Sequence, residues 1–224
     1  MKVLAVGAHP DDIEIGCGGA LFAHKAAGDE ITLLVMTDGD AADGSEIRIP
    51  EQQEAARSLG AELIWGGFAD CAVPSGAVAV NIVEQALRRS EADVVYTHSL
   101  RDTHQDHRAT SAATIGASRK VSRVLCYESP TSIGFNPNLY VNIAGLLEAK
   151  LDLIRCHISQ VMRNGIVDLE ALEAQARFRG FGARARQAEG FEVHRYLLDP
   201  AAVGLPFRRP LATEAAADDP NPLG

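Results

Sequence analysis

Five short apolar runs, each closed by Gly, Asp or a polar cluster, restrict this chain more than any other feature. They are Lys2 to Ala8, Ile31 to Thr37 (ITLLVMT), Ala61 to Trp65, Asp93 to Thr97 (DVVYT) and Arg123 to Tyr127 (RVLCY). A continuous run of this length, without the polar alternation of a half-exposed strand, predicts a strand buried on both faces, the situation of parallel sheet. Helical patterns fill the gaps. Gly18 to Ala27 is ended by Gly28, and Pro50 to Leu59 is opened by Pro and ended by Gly60, as helix boundaries prefer. Asn81 to Arg89 and His107 to Ala117 follow the same logic. This alternation predicts βαβ units in a Rossmann-like three-layer α/β fold, with a mostly parallel sheet and helices on both faces. Leu146 to Val161 and Asp168 to Arg179 predict further helices in a smaller C-terminal helical or irregular lobe. Residues 1–198 read as one domain. The stretch 199–224 holds five of the ten prolines and no apolar periodicity, so it is expected to be an irregular, flexible tail.

Composition excludes some partners. The formal charge of −9 over 224 residues argues against nucleic acid or an anionic membrane, both of which need clustered Lys and Arg. No apolar run approaches the ~20 residues of a membrane-spanning helix, and the opening MKVLAVGAHPDD lacks a secretory pattern. Cys17, Cys71, Cys126 and Cys156 form no C-x-x-C pair and read as small buried hydrophobes in a reducing compartment, with the cytoplasm the expected location.

In open α/β sheets, ligands bind outside the carboxyl ends of the strands. The residues just past the runs are His9, Asp11, Asp12 and Glu14; Asp38 and Asp40; Asp70; and His98, Asp102, His104, Asp106 and His107. Titratable groups therefore gather at one predicted sheet edge. Two clusters dominate it, A-H-P-D-D-I-E at Ala8 to Glu14 and D-T-H-Q-D-H-R at Asp102 to Arg108. Imidazole and carboxylate are ligands of divalent zinc, and two His with one Asp and open positions suit metal-assisted hydrolysis. A tight loop begun by Pro10 would turn His9 and Asp12 inward together. His104 and His107, opening a helix, would share a face, one of them on metal and the other beside it over substrate. Asp-His at a helix start also fits simple capping.

These residues resemble the PIG-L (LmbE-like) N-acetylglucosamine deacetylases. The resemblance rests on the opening strand with A-H-P-D-D-I-E and on the later H-Q-D-H. Arg48 and Glu51 in R-x-x-E, G-F-x-D at Gly67 to Asp70, Y-E-S-P at Tyr127 to Pro130, K-x-x-x-I-x-x-H-x-S-Q ending at Gln160 and A-E-G-F at Ala188 to Phe191 support it. It spans about residues 1–195.

The resemblance implies zinc on His9, Asp12 and His107, with Asp11 as general base. It implies His104 as general acid or as an imidazolium stabilising the oxyanion, oriented by Asp106. Gln105 stands where the family motif carries Pro. Arg48 is a candidate for sugar hydroxyls or a phosphate, against a surface pair with Glu51. Asp70 is a candidate for sugar hydroxyls, against turn capping. The implied reaction is hydrolysis of the acetamide of an N-acetylglucosamine-containing small molecule, releasing acetate and the amino sugar. The same donors also suit Fe2+; hydrolysis needs no redox change, which favours zinc. Family members form dimers, trimers or hexamers, which leaves room for a homo-oligomer.

Three other readings compete. A related amidase would remove a larger acyl group from glucosamine by the same metal chemistry. A nucleotide-binding module would need G-x-G-x-x-G, whereas Gly16 to Gly19 reads G-C-G-G after an acidic loop. A non-catalytic sugar-binding protein would have no use for Asp11 and His104 beside a full ligand set.

Overall fold

The computed structural model describes residues 1–162 and 167–198; the expected tail, 199–224, lies outside the described residues. In chain order the elements are β1 (Lys2–Gly7), α1 (Asp12–Ala26), β2 (Glu30–Thr37), α2 (Asp40–Asp43), α3 (Ser45–Leu59), β3 (Glu62–Phe68), α4 (Ala77–Ser90) and β4 (Val94–His98). They continue with α5 (Gln105–Ala117), β5 (Arg123–Tyr127), β6 (Leu139–Asn142), α6 (Leu147–Arg155), α7 (Ile158–Val161), α8 (Leu169–Ala183) and β7 (Ala188–Tyr196). The sheet has seven strands in the order β3-β2-β1-β4-β5-β7-β6. The first five pair in parallel, and β7 and β6 pair antiparallel. The fold is thus the mostly parallel three-layer α/β arrangement expected from the sequence. The chain's C-terminal part adds two strands to the sheet that its sequence did not announce.

Strand β1 shows why these runs are apolar throughout. Val3 and Ala5 pack with α1 and α3 residues such as Ile13, Leu21 and Ala55 in one core. Leu4 and Val6 face the other way, into a core with Val83, Ala86 and Ala113 of α4 and α5. With side chains alternating across the pleat, a strand covered on both faces has no position for a polar residue.

Helix α1 contains a break that explains an expected boundary. Cys17 has non-helical φ −144° and ψ 17°, so the second half begins at Gly18, where the sequence predicts a start. The Glu189 carboxylate caps that second start by accepting from the Gly19 and Ala20 amides at 2.9 and 2.7 Å. Buried Lys150 donates to the freed Ile15 carbonyl at 2.7 Å and pairs with Glu189 at 2.6 Å. At Gly16 the helix meets the buried Tyr127 ring: a Cβ there would lie 2.1 Å from Tyr127 Cδ2. Helix α3 begins at Ser45 with Pro50 inside it rather than at its first position. The long helix expected over Leu146 to Val161 divides into α6 and α7 at Cys156 and His157. Asp168 caps α8, accepting from Glu170 and Ala171 amides.

The four cysteines are free, as expected, but only Cys17 and Cys126 are buried, and Cys71 is exposed. Among the described residues no helix is long and apolar enough to cross a membrane.

Candidate active site

Strand order reverses between β1 and β4, which pair with each other. At such a switch point the loops leaving neighbouring strands diverge and open a crevice. Those two loops carry the two sequence clusters. A cleft of about 380 Å3 opens there, with His9, Asp11, Asp12, Asp70, His104 and His107 in its lining.

Asp12 is the centre of the arrangement. Its Oδ2 lies 3.3 Å from His9 Nδ1 and its Oδ1 lies 3.3 Å from His107 Nε2. Four ligands at about 2.1 Å from a tetrahedral zinc sit about 3.4 Å apart, so these spacings match the edges of a coordination shell. Burial would raise the Asp12 carboxyl, but the facing imidazoles of His107, His98 and His9 hold it well below the usual carboxylate range. Sets of His, Asp or both that could hold a cation include His9 with His104 and His107, and Asp12 with His98 and His107. The donor chemistry fits a divalent metal.

The ring of His107 is fixed from behind. Its Nδ1 lies 3.2 Å from Asp102 Oδ2 and 3.2 Å from Thr131 Oγ1, so a proton kept on that side leaves Nε2, which faces Asp12, as the nitrogen that would hold a cation. Burial would lower the His107 pKa, but the Asp12 charge and the Asp102 hydrogen bond push it up to about 9. Asp102 also accepts from Ser129 Oγ at 2.5 Å and from the His104 amide at 2.8 Å. Despite burial, those donors hold its carboxyl well below the usual range.

His98 stacks on His107 with ring centroids 4.0 Å apart. It is fully buried, and its Nε2, 3.2 Å from Asp12 Oδ2, accepts from the Ala8 amide at 3.1 Å. With that lone pair engaged, His98 acts as a wall of the site rather than a ligand. Burial and the neighbouring His107 charge push its pKa down to about 4, so the ring stays neutral.

Asp11 takes φ 93° and ψ −27° at the start of α1, a left-handed conformation that costs a non-glycine residue about 1–3 kcal/mol. Three contacts sustain it. Gln52 Oε1 accepts from the Asp11 amide at 3.3 Å, Arg48 Nη2 lies 3.2 Å from Asp11 Oδ2, and Arg48 also donates to the Pro10 carbonyl. Burial outweighs the Arg48 charge and pushes the Asp11 carboxyl up to about 7. Arg48 is therefore not paired with Glu51: it is buried, its guanidinium braces the Asp11 loop, and it lines the same cleft. Glu51 instead accepts from the amide and hydroxyl of Ser159, both at 2.8 Å. Gly39, at φ 69°, lets the Arg48 guanidinium pass, because a Cβ there would lie 2.6 Å from Nη1.

His104 caps α5 with its own side chain, Nδ1 accepting from the Asp106 amide at 3.2 Å. The neutral ring consequently carries its proton on Nε2. Burial, then the His107 and His9 charges, lower its pKa. The expected orientation of His104 by the Asp106 carboxylate is corrected here. Only the Asp106 backbone touches His104; its Oδ1 accepts from the Val73 amide at 3.2 Å and its Oδ2 lies 3.3 Å from His9 Nε2. Asp70 Oδ1 lies 3.0 Å from the same His9 nitrogen, while its carboxylate also accepts from the Cys71 and Ala41 amides. Hydrogen bonds that the His9 ring donates to Asp106, Asp12 and Asp70 overcome burial and push the His9 pKa up to about 12.

The sequence placed Asp102 and His98 at this edge without assigning either a role, and it did not single out Gln52. Gln52 Nε2 donates to fully buried Glu14 at 2.7 Å, and His157 Nε2 lies 3.6 Å from the other Glu14 oxygen. Helical spacing was the available signal for Gln52: it follows Arg48 by four residues and precedes Ala55 by three on the buried face of α3.

Fold and site together define a class of protein, a doubly wound α/β amide hydrolase with imidazole and carboxylate donors at its switch point. The chain belongs to the PIG-L family, whose pattern, described as GlcNAc-PI de-N-acetylase, matches residues 4–118. It is 34% identical over 150 residues to the uncharacterized deacetylase YaiS of Escherichia coli (strain K12), covering 63% of this chain and 81% of that protein. The solved structure of N,N'-diacetylchitobiose deacetylase from Pyrococcus horikoshii superposes with a TM-score of 0.77 at 28% identity, covering 86% of this chain and 83% of that one. GalB, the 4-carboxy-2-hydroxymuconate hydratase of Pseudomonas putida KT2440, shares the fold at 20% identity and a TM-score of 0.75, covering 89% of this chain and 98% of that one. That last likeness concerns architecture alone, since one fold hosts several chemistries.

Proposed function

We propose that this protein is a metal-dependent N-deacetylase that hydrolyses the acetamide of an N-acetylglucosamine-containing substrate. Residues 1–198 form the catalytic unit on this reading. The observation that carries it is the seat of Asp12 between His9 Nδ1 and His107 Nε2, each 3.3 Å away, with Asp11 and His104 lining the same cleft. His9, Asp12 and His107 would hold a divalent cation, zinc by preference, which supplies Lewis acidity and lowers the pKa of water.

The chain's own residues then have distinct tasks. Asp11, with a carboxyl near pKa 7, takes a proton from water as its oxygen bonds to the acetamide carbon. A base poised near neutral pH is effective in that role and in its reverse. Asp11 returns the proton to nitrogen as the C–N bond breaks, giving acetate and a free amine. His104 presents Nε2–H to the developing oxyanion; because its Nδ1 accepts from the Asp106 amide, it acts as a neutral donor rather than an imidazolium. Loss of one such donor typically costs about 2.7–4 kcal/mol of transition-state stabilisation. Arg48 and Gln52 hold Asp11 in its left-handed conformation, and Asp70 accepts from a sugar hydroxyl at the rim.

Metal analysis paired with acetate-release assays tests this reading on N-acetylglucosamine, its glycosides and its oligomers. The expected result is release on at least one of them, abolished by chelation and restored by zinc. A metal-loaded protein that releases acetate from none of these sugars would overturn it.

A further inference from the structure

The turn that follows β3 forms one rim of the cleft. The Ala72 amide closes it by donating to the Ala69 carbonyl at 3.2 Å, and its two central residues, Asp70 and Cys71, line the cleft. Cys71 takes φ 61°, the left-handed region that turns usually fill with Gly or Asn. Any other residue keeps that conformation only where its surroundings over-determine it. Inside the turn, the Asp70 carboxylate accepts from the Cys71 amide at 2.7 Å, and from outside it accepts from the Ala41 amide at 3.2 Å. Two more bonds come from the first turn of α5. Gln105 Nε2 donates to the Cys71 carbonyl at 2.9 Å, and Asp106 Oδ1 accepts from the Val73 amide at 3.2 Å. That end of α5 is itself anchored. His104 Nδ1 accepts from the Asp106 amide, and Arg108 donates to the Asp102 and Thr103 carbonyls at 2.7 and 2.6 Å.

We propose that Gln105 is a positioning residue for substrate: its side-chain amide ties the Asp70–Cys71 turn to the helix that carries His107, and so fixes the Asp70 carboxylate at the rim. The tether stands on this geometry alone; its effect on substrate rests on the deacetylase reading. Gln105 does not itself line the cleft, so its loss leaves the reacting groups in place and loosens the rim. Asp106 faces His9 as well as Val73, which makes Gln105 the member of the pair that can be replaced without touching an imidazole of the site. It is the first residue of α5, preceded by His104 at φ −75° and ψ 126°. Proline is favoured at a first helical position, and the residue before it prefers an extended backbone. Gln105→Pro, which installs the residue of the family motif, therefore removes the donor and keeps the helix start. Gln105→Glu keeps the size of the side chain and turns the donor into an acceptor facing a carbonyl oxygen.

Amide hydrogen exchange of the whole zinc-loaded chain, read by mass spectrometry beside steady-state acetate release, tests the proposal. In both variants the peptides spanning 69–73 should exchange faster than in wild type, with the rest of the chain unchanged. KM for the N-acetylglucosamine compound that wild type hydrolyses should rise about 3–10-fold, the worth of one net hydrogen bond. Turnover at saturation and zinc content should stay at the wild-type level. Unchanged exchange at 69–73 in both variants overturns the proposal, and so does faster exchange with an unchanged KM. A fall in kcat or zinc content without a change in KM also overturns it, because the turn then serves His9 rather than substrate. Should Gln105→Pro exchange faster throughout the chain, its fold is impaired and Gln105→Glu decides the outcome. If wild type releases acetate from no N-acetylated sugar, the deacetylase reading fails, while exchange at 69–73 still decides the tether.

Discussion

Asp102 Oδ2 stands 3.2 Å behind His107 Nδ1, and the opposite nitrogen of the same ring stands 3.3 Å from Asp12 Oδ1. A carboxylate behind an imidazole ligand fixes the tautomer and turns the lone pair toward the cation. Removal of such a partner typically weakens metal affinity about 10–100-fold. Asp102→Asn is therefore expected to bind zinc in that range more weakly than wild type, read by competition with a chelator of known affinity. Unchanged affinity would reduce Asp102 to a cap for the Ser129 and His104 donors.

Asp11 neighbours the Asp12 carboxylate in sequence but meets Arg48 in space. Asp11→Asn preserves the shape of the side chain and removes its ability to take a proton. Zinc content should stay at the wild-type level while kcat falls about 10²–10⁴-fold. Near-normal turnover in a metal-loaded variant would assign the base elsewhere.

Gln52 links two otherwise costly features, the Asp11 amide on its left-handed turn and the fully buried Glu14 carboxylate. With Gln52→Ala, both lose a partner at a buried position. Each orphaned buried group typically costs about 1–3 kcal/mol, more when charged. The variant should unfold at lower denaturant and also lose kcat, because Asp11 loses a restraint. Equal stability to wild type in denaturant titration would show that Glu14 finds other donors.

How much of this was readable in the sequence depends on where each signal resides. The parallel strands were legible because burial on both faces removes polar residues, and β5 falls on Arg123 to Tyr127 as read. Strand β7 was not, because its burial changes along its length: Ala188 to Phe191 are buried, whereas Glu192 to Tyr196 are half-buried or exposed. Its partner β6 is four residues long, too short for periodicity to register. Clustered His and Asp identified the sheet edge, since they lie in the loops that leave the neighbouring strands β1 and β4. The partner of each carboxylate stayed hidden, because it depends on which way a side chain turns. Asp106 turns to His9 rather than His104, and Arg48 turns to Asp11 rather than Glu51. Asp102 and His98 were legible at this edge but not their roles, because no local pattern separates a side chain that backs a metal ligand from one that caps a helix.

Metal removal should be visible in stability as well as in activity. Asp11, Asp12, Asp70, Asp102 and Asp106 converge at one end of the sheet, and among the described residues imidazoles, Arg48 and neutral amide and hydroxyl donors offset them in the absence of a cation. A ligand that binds the folded state alone stabilises it by RT ln(1 + [L]/Kd), about 2.7 kcal/mol at a hundredfold excess over Kd. Zinc added to chelator-treated protein should therefore raise Tm, increasingly with its concentration. Asp12→Ala, which removes the carboxylate shared by both histidines, should abolish most of that rise. Retention of the full shift in Asp12→Ala would mean that the stabilising cation sits elsewhere, and would remove Asp12 from the ligand set.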